Sequence, residues 1–391
     1  MKRYHFPGIF VLCFSFACLM MHSCGNPSEK SQVSKVIQLK MDPNNLPPVA
    51  MLSELVTNVR ILPLETKPDC LIGSVGRLFV GQSDIILVGH NNPSELMRFS
   101  TDGKFKNKIG REGSGPGEYQ RLWEITPFED SAVIYLNMQS RSKSIAYHYD
   151  GTFIGETTFP RSLRNPKVLD NHRIAFNSRE FEVRIVNSLT QDTLDYIPTS
   201  PQTSSRIQQL SGNPQTGFFY TGLGHDTIWR IDSDSMHPQI ICGFGTGHFS
   251  SSEYIGSIGR PGGYPPGHFS IGGGVFYGAG YYHFALLRQK EDKDYSYFHI
   301  VVNEKTGRSW HLEQSDRSDD VLFCTSTDFS TCAYSGEWVA VVGAYELIDA
   351  LPKIEDNQDF TYPAELINQI RSLDIDQNPV LVFYTLRPSA Q

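Results

Sequence analysis

Hydrophobic and polar positions alternate most clearly between Leu96 and Ile109. Met97 and Phe99 precede the turn Thr101-Asp102-Gly103, and Phe105, Asn107 and Ile109 follow it, interleaved with Lys104, Lys106 and Lys108. Period-two alternation on both sides of an Asp-Gly dipeptide predicts a β-hairpin with one face turned inward. The three lysines then mark the wet face, where charge also discourages pairing with a foreign strand; that reading is favoured over an anion site. The loop that follows, Gly110 to Tyr119, holds Gly110, Gly113, Gly115 and Gly117. Such density suits backbone at positive φ or in close approach to a neighbour, and Arg111, Glu112 and Glu118 read as braces of the turn.

Short β-rich runs recur along the chain: Asp84–Val88, Ala132–Leu136, Ile145–Tyr149, Arg173–Phe176, Phe181–Val186, Thr227–Ile231, Tyr297–Val302, Trp338–Val342 and Val380–Leu386. A second hairpin repeats the Asp-Gly turn at Asp150-Gly151, 48 residues after Asp102-Gly103. That period falls in the range of about 40 to 50 residues per propeller blade. Only Tyr362–Leu373 reads as a helix, with Leu366, Ile370 and Leu373 on one face. The glycine-rich Gly259–Gly280 lacks the order of a phosphate loop and is expected to be a long loop followed by a glycine-bulged strand. The pattern is that of an all-β chain without an internal linker.

Several of these segments also carry a family likeness. Leu96–Tyr119, with its Asp-Gly-Lys-Phe turn and Gly-x-Gly-Pro-Gly-Glu-Tyr loop, resembles the NHL-type repeat and, more closely, the six-bladed β-propeller lipoproteins of Gram-negative anaerobes. Ser53–Thr66, His225–Gly245 and Asn378–Leu386 resemble that family too. The resemblance implies a single β-propeller over residues 51–391, six blades by analogy, although the spacing alone also permits five or seven. A ring must join its ends, because an open edge invites aggregation. Val59–Leu64 and Val380–Leu386 are therefore predicted to pair, so that an N-terminal strand closes the last blade.

The N-terminus speaks to compartment. Lys2, Arg3 and His5 precede a run from Ile9 to Met21 broken only by Ser15, and Ser23-Cys24 ends it. The run is short of the roughly 20 apolar residues needed to cross a bilayer, so residues 1–23 read as a lipoprotein signal peptide. Cys24 becomes the acylated first residue of the mature chain, and residues 24–50 form the lipidated cysteine, a flexible tether and a lead-in. Met21 and His22 depart from the usual lipobox, and the periplasmic or surface face stays undecided. Removing Lys2 and Arg3 with the signal takes the formal net charge from −8 to −10, which argues against nucleic acid.

Candidate chemistry is sparse. Cys70, Cys242, Cys324 and Cys332 remain in the mature domain; buried unpaired thiols are favoured, with a Cys324–Cys332 bridge as the alternative. There is no G-x-S-x-G or H-E-x-x-H motif. His225, His248, His268 and His283 are scattered without metal-ligand spacing. The leading expectation is a binding or interaction module at the outer membrane for a peptide, glycan or protein partner, with Tyr119, Trp123, Trp229, Tyr264 and His268 as candidate ligand contacts and no catalytic residue. The alternative is a calcium-dependent, lactonase-like propeller hydrolase or lyase, for which Asp102, Glu118, Asp226 and Asp328 supply carboxylates. Acylation is testable directly: Cys24→Ala is expected to move the protein from the membrane to the soluble fraction, and an unchanged membrane fraction would refute it.

Overall fold

Strands of four to ten residues build six separate sheets, each with an antiparallel set of four. The computed structural model describes residues 35–391 apart from 42–45, 91–93, 121, 139–142, 160–163, 171, 179–180, 191, 199–207, 223–224, 233–234, 248–267, 290–294, 313–318, 325–328 and 389–391; seven further side chains, that of Trp123 among them, are also outside the description. The signal peptide, Cys24 and the tether expected from the sequence lie outside the described residues.

The first blade comprises Val75–Val80, Asp84–Gly89, Glu95–Ser100 and Phe105–Lys108. The second runs through Leu122–Phe128, Val133–Met138, Lys143–His148 and Phe153–Thr158, and the third through Arg164–Val168, Arg173–Asn177, Phe181–Asn187 and Thr193–Pro198. The fourth contains Gln208–Asn213, Gly217–Gly222, Thr227–Ile231 and Met236–Gly243, and the fifth Phe269–Gly278, Tyr281–Gln289, Tyr295–Asn303 and Ser309–Leu312. The sixth combines Phe329–Cys332, Trp338–Val342 and Val380–Leu386 with Val56–Pro63 from the other end of the chain. The fold is a six-bladed β-propeller.

Both predicted hairpins are present, one in the first blade and one in the second, with Gly103 and Gly151 at positive φ. Gly103 has a second reason to lack a side chain, because a Cβ there would collide with the carbonyl oxygen of Pro63 in the closing strand. The lysine stripe lies on the outer strand of the first blade, where Lys106 pairs with Asp84 and Lys108 with Glu95. Glu118 accepts from the Gly115 N–H and pairs with Arg111, and Glu112 accepts from the Ser94 N–H, so this trio braces the glycine loop as expected.

Six hydrophobic clusters fill the spaces between successive blades. Val88 and Leu96 meet Leu136 and Ile145 between the first and second, and Val168 and Ile174 meet Phe128 and Tyr135 between the second and third. Val183 and Ile185 pack on Tyr220 and Phe218, Ile228 and Ile240 on Phe284 and Leu286. The last two clusters join the fifth blade to the sixth around Trp338 and Tyr384, and the sixth to the first around Phe383 and Leu87. Each sheet thus buries both of its faces, which is why the second and third strands read as continuous apolar runs.

Closure follows the predicted pairing. Val380–Leu386 lies antiparallel to Val56–Pro63, with Val382 opposite Ile61 and Tyr384 opposite Val59. Asn378 fastens the junction: its Nδ2 donates to the carbonyls of Glu65 (2.7 Å) and Cys70 (2.8 Å), and its Oδ1 accepts from the Ile72 N–H at 2.8 Å. The lead-in extends the join further than the sequence suggests. Ile37–Lys40 adds in parallel to Met236–Gly243 as a fifth strand of the fourth blade, and Val49–Ala50 does the same on Ser309–Leu312 of the fifth.

Between the second and third strands of the sixth blade sit two helices, Ala344–Asp356 and Ala364–Arg371. The latter matches the predicted helix, whereas the former is a correction to the expectation of only one. Its buried Ala344, Leu347, Ala350 and Ile354 do follow a helical stripe, but Pro352 within it and the apolar strand just before it hide the period. Among the described residues Cys70, Cys242, Cys324 and Cys332 are all buried free thiols, and Cys324 and Cys332 are not bridged. Asn378→Ala leaves the Cys70 carbonyl and the Ile72 N–H without the partner they have in the buried junction, while the Glu65 carbonyl keeps the Cys70 thiol; at about 1–3 kcal/mol for each orphaned buried group, it is expected to lower the unfolding free energy by roughly 2 kcal/mol or more in urea titration.

Candidate functional site

The first strand of every blade lies innermost in the ring, and these strands show the least apolar periodicity: Val75-Gly76-Arg77, Leu210-Ser211-Gly212, Gly272-Gly273-Gly274 and Ser330-Thr331 are typical. They enclose a central channel with a cavity of about 560 Å³, whose wall includes Arg77, Glu124, Ser211, Asn213, Tyr277 and Thr331. The volume lies within the range of about 300–1,000 Å³ usual for small-molecule pockets. The glycine-bulged strand expected within Gly259–Gly280 is the fifth blade's inner strand, with its register shift between Gly272 and Phe276. The loop before it lies outside the described residues.

Charge is concentrated on one side of this wall. Lys167, on the third blade's inner strand, is 2% exposed and places Nζ 3.0 Å from Glu124 Oε1. Arg77, on the first blade, approaches the other oxygen, Nε to Oε2 at 3.4 Å, and is 41% exposed. A buried ammonium is retained only when a carboxylate answers it, so Lys167 has the firmer claim on Glu124. Beside Arg77, a Cβ on Gly76 would overlap the imidazole of His90. The three described charges sum to +1.

One end of the channel is held by a single carboxylate. Glu129, in the turn after the second blade's inner strand, accepts from the backbone N–H groups of Gln82 (2.9 Å) and Ser83 (2.7 Å) in the first blade. It also accepts from Gln215 Nε2 of the fourth blade at 2.6 Å. Turns from three blades are thereby tied together, across the position of the third.

The residues singled out from sequence do not gather at one point. Tyr119 is 1% exposed and belongs to the core between the first two blades, where its hydroxyl oxygen accepts from the Leu96 N–H. It is a packing residue, not a ligand contact. Trp229, on the third strand of the fourth blade, packs against the cluster shared with the third blade. Trp123 lies on the second blade's inner strand, His268 immediately precedes that of the fifth and is half-buried, and Tyr264 lies outside the described residues. Arg77, Glu124 and Lys167 were missed, because an isolated charge between short runs has no periodic signature; the one available signal was a charged residue inside a strand-length segment.

Other buried titratable groups serve packing. Glu182 accepts from the Tyr220 hydroxyl at 2.9 Å and lies 2.7 Å from His225 Nε2, between the third and fourth blades. His283 stacks on His299, with Nε2 and Nδ1 3.1 Å apart, among Phe276, Phe329 and Trp338; burial drives its pKa well below the ordinary imidazole value, which keeps it neutral. Asp102 and Asp226 engage the hydroxyls of neighbouring Ser100 and Thr227, while His248 and Asp328 lie outside the described residues. Among the described residues no group of three or more His, Cys, Asp or Glu side chains is placed to hold a metal ion, and no described helix is long and apolar enough to cross a membrane.

A family model described as a domain of unknown function, DUF4934, matches residues 34–385. Among solved structures, the chain is similar to a Bacteroides fragilis protein thought to be exported, with 19% identity, a TM-score of 0.68, and coverage of 90% of this chain and 100% of that one. It is also similar to a member of the DUF4221 family from Bacteroides vulgatus, at 11% identity and a TM-score of 0.50, covering 85% of this chain and 98% of that one. No curated protein matches the chain.

One buried carboxyl gives a pH-dependent expectation. Asp319, beneath the helices of the sixth blade, accepts from the N–H groups of Val321 and Leu322, yet burial pushes its pKa up to about 6. The folded state therefore holds a proton that the unfolded chain releases near pH 4, and stability falls as pH rises from about 4 to about 6. Asp319→Asn removes this dependence. The melting-temperature difference between Asp319→Asn and wild type is expected to grow in favour of the variant across that window, towards an energy on the order of 3 kcal/mol above pH 6; a difference constant with pH would refute the titration.

Proposed function

The chain belongs to the DUF4934 family, and from its channel we propose that it is a binding module of the cell envelope, held at the outer membrane by acylated Cys24 and receiving a small ligand, or an exposed group of a peptide, glycan or protein partner, in the centre of the ring. The observation that carries this reading is the channel itself: a cavity of about 560 Å³ that stays open in the ring, with Arg77 and Glu124 on one side and Ser211, Asn213, Thr216, Ser330 and Thr331 set among apolar residues such as Leu210 and Phe276 on the other. A propeller needing only a filled core would close its centre with apolar side chains. The likeness to a Bacteroides fragilis protein thought to be exported supports an envelope location, and the signal-like N-terminus ending in Cys24 supports the anchor.

The alternative, a calcium-dependent hydrolase or lyase, needs several carboxylate or amide oxygens converging on one point. Glu124 is the one carboxylate among the described lining residues, and it already stands between two cations. Binding is the reading the donor set favours.

Ser330 lines the cavity from the sixth blade. Ser330→Trp is expected to fill the channel without disturbing the clusters between blades. On glycan and peptide arrays the wild-type chain should give signals that Ser330→Trp loses while melting at the parental temperature; signals that survive the substitution would place binding elsewhere on the molecule.

A further inference from the structure

We infer that the channel is built for a small carboxylated ligand bearing hydroxyl groups, of which a uronic acid is the simplest, with Arg77 receiving the carboxylate. This rests on the channel reading above and adds the chemistry of the occupant. Three observations carry it. First, Glu124 is one carboxylate shared by two cations, so the cluster of Arg77, Glu124 and the buried Lys167 behind the wall has an excess of one positive charge in a chain of net charge −8. A cationic wall inside an acidic protein favours an anion at that spot over the surrounding surface.

Second, exposure decides which cation meets the ligand. Lys167 is 2% exposed, holds Glu124 at 3.0 Å and lies against the Phe218 ring, so it neutralises the carboxylate from behind. Arg77 is 41% exposed, at the longer distance of 3.4 Å, and it lines the cavity whereas Lys167 does not. A planar guanidinium matches a carboxylate with two parallel N–H···O bonds, a geometry an ammonium cannot supply.

Third, the opposite wall is neutral and sets hydrogen-bonding groups among apolar ones such as Leu210 and Phe276. Ser211, Asn213, Thr216, Ser330 and Thr331 border the same cavity, together with Phe276 and Tyr277. Hydroxyl and amide groups suit a ligand that carries its own hydroxyls, and an aromatic face suits the apolar side of a sugar ring.

The test uses the mature chain and three probes in isothermal titration: D-galacturonate, D-galactose and inorganic phosphate. The expected result is binding of galacturonate at least tenfold tighter than of galactose or phosphate, weakened at least tenfold by Arg77→Gln, with the preference kept by Arg77→Lys. Arg77 is exposed enough for both variants to fold, and unchanged melting temperatures would verify it. Equal binding of galactose overturns the role of charge, and equal binding of phosphate overturns the carboxylate class. No binding of galacturonate, with array signals still lost in Ser330→Trp, overturns this inference and leaves the channel reading standing. Array signals insensitive to Ser330→Trp overturn the channel reading itself.

Discussion

Ring closure is the constraint on which the rest of the molecule depends. Val56–Pro63 and Val380–Leu386 are separated by more than 300 residues, and their pairing converts an open row of sheets into a closed circle with no exposed inner edge. Bringing such distant segments together costs chain entropy that grows only slowly with length, so a strand-length ladder with buried side chains can offset it. Asn378 adds specificity, because every polar atom of its side chain is satisfied by backbone on the opposite side of the join. The lead-in then follows the outer edges of the fourth and fifth blades before entering the sixth, so three consecutive N-terminal segments are laced by main-chain bonds to three successive late blades.

Within the closed ring, stability is distributed over six similar interfaces, but their composition differs. Four are chiefly aliphatic and aromatic packing, and the interface between the third and fourth blades adds the buried Glu182 with Tyr220 and His225. The interface between the fifth and sixth blades also encloses the stacked His283–His299 pair and the carboxyl of Asp319. Trp338 Nε1, Tyr384 Oη, His283 Nδ1 and Asp319 Oδ2 find no hydrogen-bond partner there among the described residues. Burying such groups works against stability, and the aromatic contacts of Phe329 with Trp338 and Tyr384 lie at the same place. The helical insertion covers this interface, which accounts for its position in the sixth blade: Leu347, Ile354, Leu366 and Ile370 all belong to the same cluster.

The channel inherits its rigidity from this arrangement. Its wall residues stand on inner strands hydrogen-bonded to the rest of each blade, and the Glu129 clasp fixes the turns at one end. Side chains on strands are positioned more tightly than side chains on loops, so a charged trio held by three different blades keeps its geometry without a bound partner. The acidic exterior and the positively charged patch inside are two parts of one electrostatic pattern.

Sequence alone determined a good deal of this architecture. The Asp-Gly turns at Asp102-Gly103 and Asp150-Gly151, the recurring apolar runs and the pairing of the two terminal strands follow from local rules: period-two burial, positive φ at glycine and the need to hide an edge. Those rules describe strands with one or two buried apolar faces, which are the hairpin strands and the second and third strands of each blade. They are silent about the inner strands, whose polar and glycine residues face the channel and carry no period. Ala344–Asp356 escaped for a related reason, since Pro352 and its apolar neighbours blur the helical stripe. Only the tertiary structure decided that Tyr119 is core and that Arg77, Glu124 and Lys167, 47 and 43 residues apart along the chain, share one wall. Contact between blades is set by the closing of the ring, and no local property of a sequence records which residues that closing brings together.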